Sequence, residues 1–137
     1  MRHTTEIQLA NLSDLFFVQV GAMDPEDVRR LTVDDALVDT GATGLCLPIS
    51  LIERLGLTPV GKRTARTAAG IVERTVYSEV EYTILERSST IRVTDLPEDS
   101  PILVGHIIME TLDLWVDMTK GLIYNPAHGD DWIEEQL

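Results

Sequence analysis

Apolar and polar residues alternate with a period of two along much of the chain. The pattern is clearest over residues 76–84, where Val76, Val80, Tyr82 and Ile84 share one face. Successive side chains of a strand point to opposite faces, so this period predicts β-strands. Strands are predicted around residues 7–9, 16–20 (with Phe16, Val18 and Val20 on one face), 32–38, 45–47, 62–67, 76–84, 91–94, 114–117 and 122–124. The chain is therefore expected to be mostly β.

Two segments depart from this alternation and predict short helices. Ser50 and Glu53 have the spacing of a capping box, and Gly56 follows as a typical C-terminal stop. A second helix is predicted after Gly105, where apolar residues recur about one turn apart. We expect one or two short helices beside the strands.

Length and composition indicate one globular domain. The 137 residues are 44% hydrophobic and 25% charged, the balance of a folded domain with one core, and no repeat or linker divides them. Residues 1–137 are assigned to a single domain, with 126–137 as a candidate acidic C-terminal tail. No apolar run approaches the roughly 20 residues that span a bilayer, and no signal-peptide core is present. A cytoplasmic location and no membrane partner are expected.

Charge and cysteine content exclude further classes of site. The formal net charge of −12 argues against nucleic-acid binding, which rests on positive surface. Lys62, Arg63 and Arg66 form one basic cluster, interpreted as a solvated strand face. The single cysteine, Cys46, rules out an internal disulfide and is expected to be a small buried side chain. The three histidines lack ligand spacing, so neither a metal nor a cofactor is predicted.

The stretch ALVDTGATGLCLP, residues 36–48, contains the strongest candidate for chemistry. Its apolar strand runs directly into the carboxylate of Asp39. A carboxylate at the end of a buried strand is costly unless it has a partner or a function. One interpretation is an ordinary turn in which the aspartate caps the strand end. The other is a catalytic carboxyl group.

The motif VDTGAT, residues 38–43, resembles the active-site signature of the retropepsin-like aspartic proteases, the single-lobe relatives of retroviral proteases. Two further segments agree with this family in order. TAAGIVERTVY, residues 67–77, stands where the family has its flap hairpin, and ILVGHIIMETL, residues 102–112, resembles its hydrophobic-hydrophobic-glycine segment. The resemblance covers roughly residues 15–124. It implies a single-lobe acid-protease fold, a closed β-barrel.

The resemblance also implies roles for individual residues. Four consecutive residues would form the active site, with Asp39 as the catalytic residue and Thr40, Gly41 and Ala42 as its support. Three would form the substrate-binding flap: Ala69, Gly70 and Ile71. The hydrophobic-glycine segment would be Leu103, Val104 and Gly105.

The chemistry of this family needs two carboxyl groups, one ionised and one protonated. The chain has one Asp-Thr-Gly, and Asp117 in VDMTKG does not repeat it. The resemblance therefore implies a homodimer in which two copies of Asp39 meet at a two-fold axis. The expected function is an aspartic endopeptidase that hydrolyses polypeptide substrates. The alternative is a retropepsin-like dimer without activity, acting as a binding or assembly module.

Overall fold

The computed structural model describes residues 3–117 and 122–124. Their strands are β1 (Thr4–Asn11), β2 (Arg30–Val38), β3 (Leu45–Pro48), β4 (Pro59–Thr67), β5 (Gly70–Ile84), β6 (Arg87–Leu96), β7 (Leu103–Val104), β8 (Trp115–Asp117) and β9 (Leu122–Tyr124). The helices are α1 (Leu12–Gln19), α2 (Ile49–Arg54) and α3 (His106–Thr111), with a 3₁₀ turn over Pro25–Asp27. The mostly-β prediction is confirmed. The candidate tail, 126–137, lies outside the described residues.

Seven strands form one sheet in the order β1-β2-β7-β3-β6-β5-β4. β1 pairs antiparallel with β2 and also with β5, so the pairing returns from β5 to the strand at which it began. β4 lies outside this ring and pairs with β5 in a long hairpin. β8 and β9 form a separate two-stranded sheet. The finer description as a closed barrel stays a prediction.

The hydrophobic core follows the period-two pattern of the sequence. On β5, Val80, Tyr82 and Ile84 are fully buried, while the residues between them are only partly buried. β1 contributes Ile7 and Leu9 to the same core. Burial of each such side chain stabilises the fold by about 1.5–3 kcal/mol, so this alternation determines which face of each strand turns inward.

The described residues form three short α-helices, one more than the two that the sequence predicted. The additional helix is α1, which covers most of the segment predicted as a strand at residues 16–20. Phe16 and Phe17 are largely exposed, so the apolar alternation there does not mark a buried strand face. The strand prediction was wrong because hydrogen bonds at the start of the segment, rather than apolar burial, determine its conformation.

Asn11 and Asp14 hold the beginning of α1. The Asn11 side chain caps the helix by accepting a hydrogen bond from the Asp14 backbone N–H at 3.1 Å, and its amide donates to Leu55 O at 2.8 Å. The Asp14 side chain is 1% exposed and accepts hydrogen bonds from the backbone N–H, Nε and Nη2 of Arg29 at 2.9–3.0 Å. A capped start and a two-pronged ion pair therefore anchor a helix that buries little apolar surface.

Replacing Asp14 with asparagine is expected to lower the free energy of unfolding by about 1–3 kcal/mol at neutral pH, since charge-assisted hydrogen bonds are lost. The hydrogen bond from the Arg29 side chain lowers the pKa of Asp14, while burial acts in the opposite direction. This stabilisation is therefore complete above the unfolded pKa of about 3.9 and is lost as the pH falls through the lower folded pKa.

Urea unfolding of the wild type and Asp14→Asn at a series of pH values measures this difference. The gap between the two proteins should stay constant from about pH 7 to pH 5 and close in stronger acid. Asp34→Asn is the matched control, because Asp34 is exposed on β2. A gap that widens in acid would contradict the sign of the Asp14 contribution.

The end of α2 matches the prediction, but its beginning does not. Gly56 has a φ of 66°, and the backbone N–H groups of Gly56 and Leu57 donate to the carbonyls of Glu53 and Ile52. This is the glycine-dependent helix stop expected from the sequence. At the other end the N-cap residue is Pro48, without a side-chain cap, so the prediction of Ser50 as N-cap was wrong. The helix begins earlier because it follows β3 directly.

In the described part of the chain, none of the helices is both long and apolar enough to cross a membrane.

Candidate active site

Asp39 follows the last residue of β2, and its backbone is held at both ends. Its N–H donates to Val104 O at 3.0 Å, and its carbonyl accepts from Ala42 N–H at 3.0 Å. The Asp39 loop, residues 39–44, is thus a tight turn between β2 and β3. The strand places the carboxyl group at the edge of the core, where Val38 is buried and Asp39 is partly exposed.

β7 lies between β2 and β3 in the sheet, and it and the residues after it form backbone hydrogen bonds with the Asp39 loop. Leu103 and Val104 pair in parallel with β2 and antiparallel with β3. Beyond β7, Gly105 N–H donates to Gly44 O at 2.8 Å, and the next two backbone N–H groups donate to the carbonyls of Ala42 and Thr43. Three consecutive donors therefore bind three consecutive carbonyls of the loop, which makes its backbone conformation rigid.

Position 105 has no room for a side chain where it contacts the Asp39 loop, so glycine is required there. A Cβ atom at this position would lie 2.5 Å from the carbonyl carbon of Thr43, 2.6 Å from its oxygen and 2.7 Å from Ala42 O. All three are backbone atoms, which cannot rotate away as a side chain can. The hydrophobic-glycine segment and the Asp39 loop therefore pack with their backbones in direct contact.

The Asp39 carboxylate is oriented by the residue two positions later. Gly41 N–H donates to Asp39 Oδ1 at 2.9 Å, and a Cβ at Gly41 would approach the same oxygen to 3.2 Å. Thr40 is exposed and Ala42 is partly buried. The structure thus places Asp39, Gly41 and Ala42 in one turn and leaves Thr40 exposed on the surface of the single chain.

A cleft of about 430 Å³ extends from the Asp39 loop to the β4–β5 hairpin. It is lined by Asp39, residues 41–44 and Leu103 on the side of the Asp39 loop, and by Cys46, residues 63–67, Arg74 and residues 94–96. The cleft therefore joins the candidate catalytic carboxylate to the hairpin that the sequence assigned to a flap.

The three predicted flap residues lie at the end of the hairpin. Thr67 pairs with Gly70, so that Ala68 and Ala69 form the turn, and Gly70 has a φ of 109°. The Thr67 hydroxyl donates to Gly70 O and accepts from Ala69 N–H, which stiffens this turn. Ile71 is 68% exposed. In the single chain the cleft lining reaches the hairpin end at Thr67 and not at Ala69, Gly70 or Ile71.

Charged side chains that the sequence analysis did not assign to the site also surround the cleft. Burial raises the pKa of the Cys46 thiol, the charges of Arg63 and Arg74 act against this, and those of Asp39 and Asp95 add to it. All five residues line the cleft. Lys62, Arg63 and Arg66 are all exposed, as the solvated-face interpretation expects, and Arg63 and Arg66 also contribute to the cleft lining. Only the pairing register of β4 and β5 could have revealed this.

Metal binding has no support in this region. Among residues 3–117 and 122–124, no three potential ligands from His, Cys, Asp and Glu lie close enough to hold an ion.

The family model described as aspartyl protease matches residues 24–105, which are 82 of the 137 residues. The chain belongs to the aspartyl protease family. The match begins before β2 and ends at Gly105, so it contains the Asp39 loop, the hairpin and the segment that supports the loop. It confirms the resemblance that the sequence motifs indicated. Family membership supports a protease function, that is, hydrolysis of peptide bonds.

Comparison of this aspartyl protease family member with solved structures finds similarity to the solution structure of the simian foamy virus (mac) protease. The two chains are 20% identical with a TM-score of 0.47, over 82% of this chain and 94% of the viral one. No curated protein sequence matches the chain.

Proposed function

We propose that the protein is a homodimeric aspartic endopeptidase in which two copies of Asp39 activate the water that attacks a peptide bond. The observation that carries this proposal is the rigid presentation of Asp39. Its loop is held by backbone hydrogen bonds to β7 and α3, and the carboxylate faces an open cleft. Precise positioning of an acid–base group is what catalysis requires of a fold.

The need for a second carboxyl group supports the dimer. One carboxylate takes a proton from water while a protonated partner donates to the substrate carbonyl oxygen. Two like charges about 3 Å apart repel by roughly 5–6 kcal/mol at an effective dielectric of about 20, so the pair retains one proton over a wide pH range. We expect a bell-shaped dependence of cleavage on pH, with apparent pKa values that belong to the pair.

The remaining residues of the site have roles consistent with this arrangement. The exposed Thr40 would donate a hydrogen bond to the partner copy across the two-fold axis, Gly41 N–H orients the Asp39 carboxylate, and Ala42 lines the cleft. The hairpin end at Ala69, Gly70 and Ile71 would close over a bound substrate. The substrate would be an extended polypeptide that pairs with strand edges.

The second candidate function is a binding or assembly module that keeps the family fold without catalysis. Its supporting observation is the hydrogen bond from Gly41 N–H to the Asp39 side chain, because a carboxylate that stabilises its own turn can be retained for structure alone. This candidate predicts binding of polypeptides without cleavage.

The test measures cleavage of a diverse peptide pool and oligomeric state over the same series of protein concentrations, between about pH 3.5 and 7. We expect the cleavage rate per chain to rise with concentration and to level off where sedimentation shows a complete dimer, because the site forms only on association. Cleavage by a species that stays monomeric would overturn the paired mechanism. A dimer that cleaves no peptide would leave the binding module as the function.

A further inference from the structure

Arg63 and Arg74 are direct partners across the β4–β5 hairpin, and both line the cleft. Directly paired residues on antiparallel strands point to the same face, so these two side chains extend from neighbouring positions on one face of the hairpin. Neither has an ion pair or a side-chain hydrogen bond within the described residues. Like charges in this position destabilise a strand pair, so the arrangement needs a reason beyond stability.

Lys62, next to Arg63 on the same hairpin, does have a carboxylate partner. Lys62 pairs with Glu73 at 3.1 Å on the exposed surface, and it does not line the cleft. The chain has 23 acidic residues against 11 lysines and arginines, so carboxylate partners are abundant. The hairpin therefore pairs Lys62 with a carboxylate and leaves Arg63 and Arg74, which line the cleft, without one.

The residues that line the cleft include more arginines than carboxylates, although the protein is acidic. The lining contains three arginines, Arg63, Arg66 and Arg74, against two carboxylates, Asp39 and Asp95. Asp95 is partly engaged, because Thr75 N–H donates to its Oδ1 at 3.1 Å. With a net charge of −12, the protein repels acidic peptides in general, and the cleft is a local exception.

We propose that the Arg63–Arg74 pair binds a carboxylate side chain of the substrate, so that the enzyme prefers peptides with Asp or Glu near the bond that it cleaves. The inference rests on the proposed function and specifies its substrate class. Guanidinium groups bind carboxylates through paired, charge-assisted hydrogen bonds, and a bound carboxylate removes the repulsion between the two arginines. The arginines belong to the β4–β5 hairpin and Asp39 to the loop after β2, so we expect the acidic residue to flank the cleaved bond.

The experiment compares two peptides that share a cleavable sequence from the pool and differ only by Glu or Gln at the flanking positions. At about pH 6 the glutamate is ionised. We expect the wild type to cleave the Glu peptide about tenfold more efficiently in kcat/KM, mainly through a lower KM, since a single charge-assisted hydrogen bond supports a factor of this size. The preference should weaken as salt is added.

Three variants decide whether the two arginines cause the preference. Arg63→Gln/Arg74→Gln should bring the Glu-to-Gln ratio of kcat/KM to about one. Arg63→Glu/Arg74→Glu should cleave a third peptide, identical but with Lys at the flanking positions, more efficiently than the Glu peptide. Lys62→Gln is the matched control, since it removes one positive charge from the same strand outside the cleft, and it should keep the wild-type ratio. Circular dichroism and urea unfolding establish that each variant is folded.

The possible results of these measurements distinguish failure of the substrate preference from failure of the proposed endopeptidase function. Cleavage of both peptides at equal rates, or an unchanged ratio in the arginine variants, would overturn the inference and leave the endopeptidase intact. Binding is measured in parallel by fluorescence anisotropy with Asp39→Asn. If the wild type cleaves neither peptide, tighter binding of the Glu peptide that depends on Arg63 and Arg74 still supports the inference, and equal binding overturns it.

Discussion

Replacing Asp39 with asparagine is expected to reduce peptide cleavage by about 10²–10⁴-fold, the usual contribution of general acid–base catalysis. An amide cannot accept a proton from water, and a dimer of this variant lacks both carboxyl groups. The fold should be unaffected, because an Asn oxygen can still accept the hydrogen bond from Gly41 N–H, and the backbone bonds to Val104 and Ala42 do not involve the side chain. Mass spectrometry of the digested peptide pool measures the loss.

Asp35→Asn is the matched control for this experiment. Asp35 is an exposed carboxylate on β2, four residues before the candidate catalytic one, and its replacement should leave cleavage unchanged. Mixing provides a second test: excess Asp39→Asn should suppress wild-type cleavage in proportion to the mixed dimers formed. Wild-type rates in Asp39→Asn, with a normal urea transition, would show that this carboxylate is not catalytic.

Replacing Gly105 with alanine is expected to lower the free energy of unfolding by about 1–3 kcal/mol and to reduce cleavage together with it. The added methyl group would overlap backbone atoms of Thr43 and Ala42, so either β7 or the Asp39 loop must move. Either movement weakens the hydrogen bonds that hold the loop and displaces the Asp39 carboxylate. Catalysis is sensitive to displacements of about 1 Å. Urea unfolding and peptide cleavage measure the two effects.

Gly61→Ala tests whether this cost comes from the contact or from glycine replacement in general. A Cβ atom at Gly61 meets no heavy atom within 4 Å, and its backbone is not in the left-handed region. Its replacement should therefore change the free energy of unfolding by less than about 0.5 kcal/mol. Equal effects of the two substitutions would refute the role assigned to the backbone contact.

Much of the fold could be predicted from local patterns. The period-two alternation located β5 and most other strands, because burial of one sheet face selects apolar residues at every second position. Gly56 was correctly identified as a helix stop, since a left-handed residue at that position favours glycine. Helix α1 was missed because the pair that anchors it, Asp14 and Arg29, joins residues fifteen positions apart and has no periodic signature.

The sequence predicted the motif that contains Asp39, but it did not predict which charged residues line the cleft around it. Asp39 was identifiable because a carboxylate after an apolar strand is costly, and because its neighbours match a known signature. Arg63, by contrast, looked like part of a solvated basic cluster. Its place beside Arg74 in the cleft depends on the pairing register of the hairpin, which a linear charge pattern does not contain.

Three properties could be inferred from the residues alone: the chain is mostly β, Asp39 directly follows an apolar strand end, and the motifs have the order found in aspartic proteases. These properties reside in contiguous residues, where burial and turn chemistry act over a few positions. Three others require the folded chain: β7 lies between β2 and β3, Gly105 contacts the Asp39 loop, and Arg63 and Arg74 both line the cleft. Those relations join residues far apart in the chain, and long-range strand pairing alone creates them.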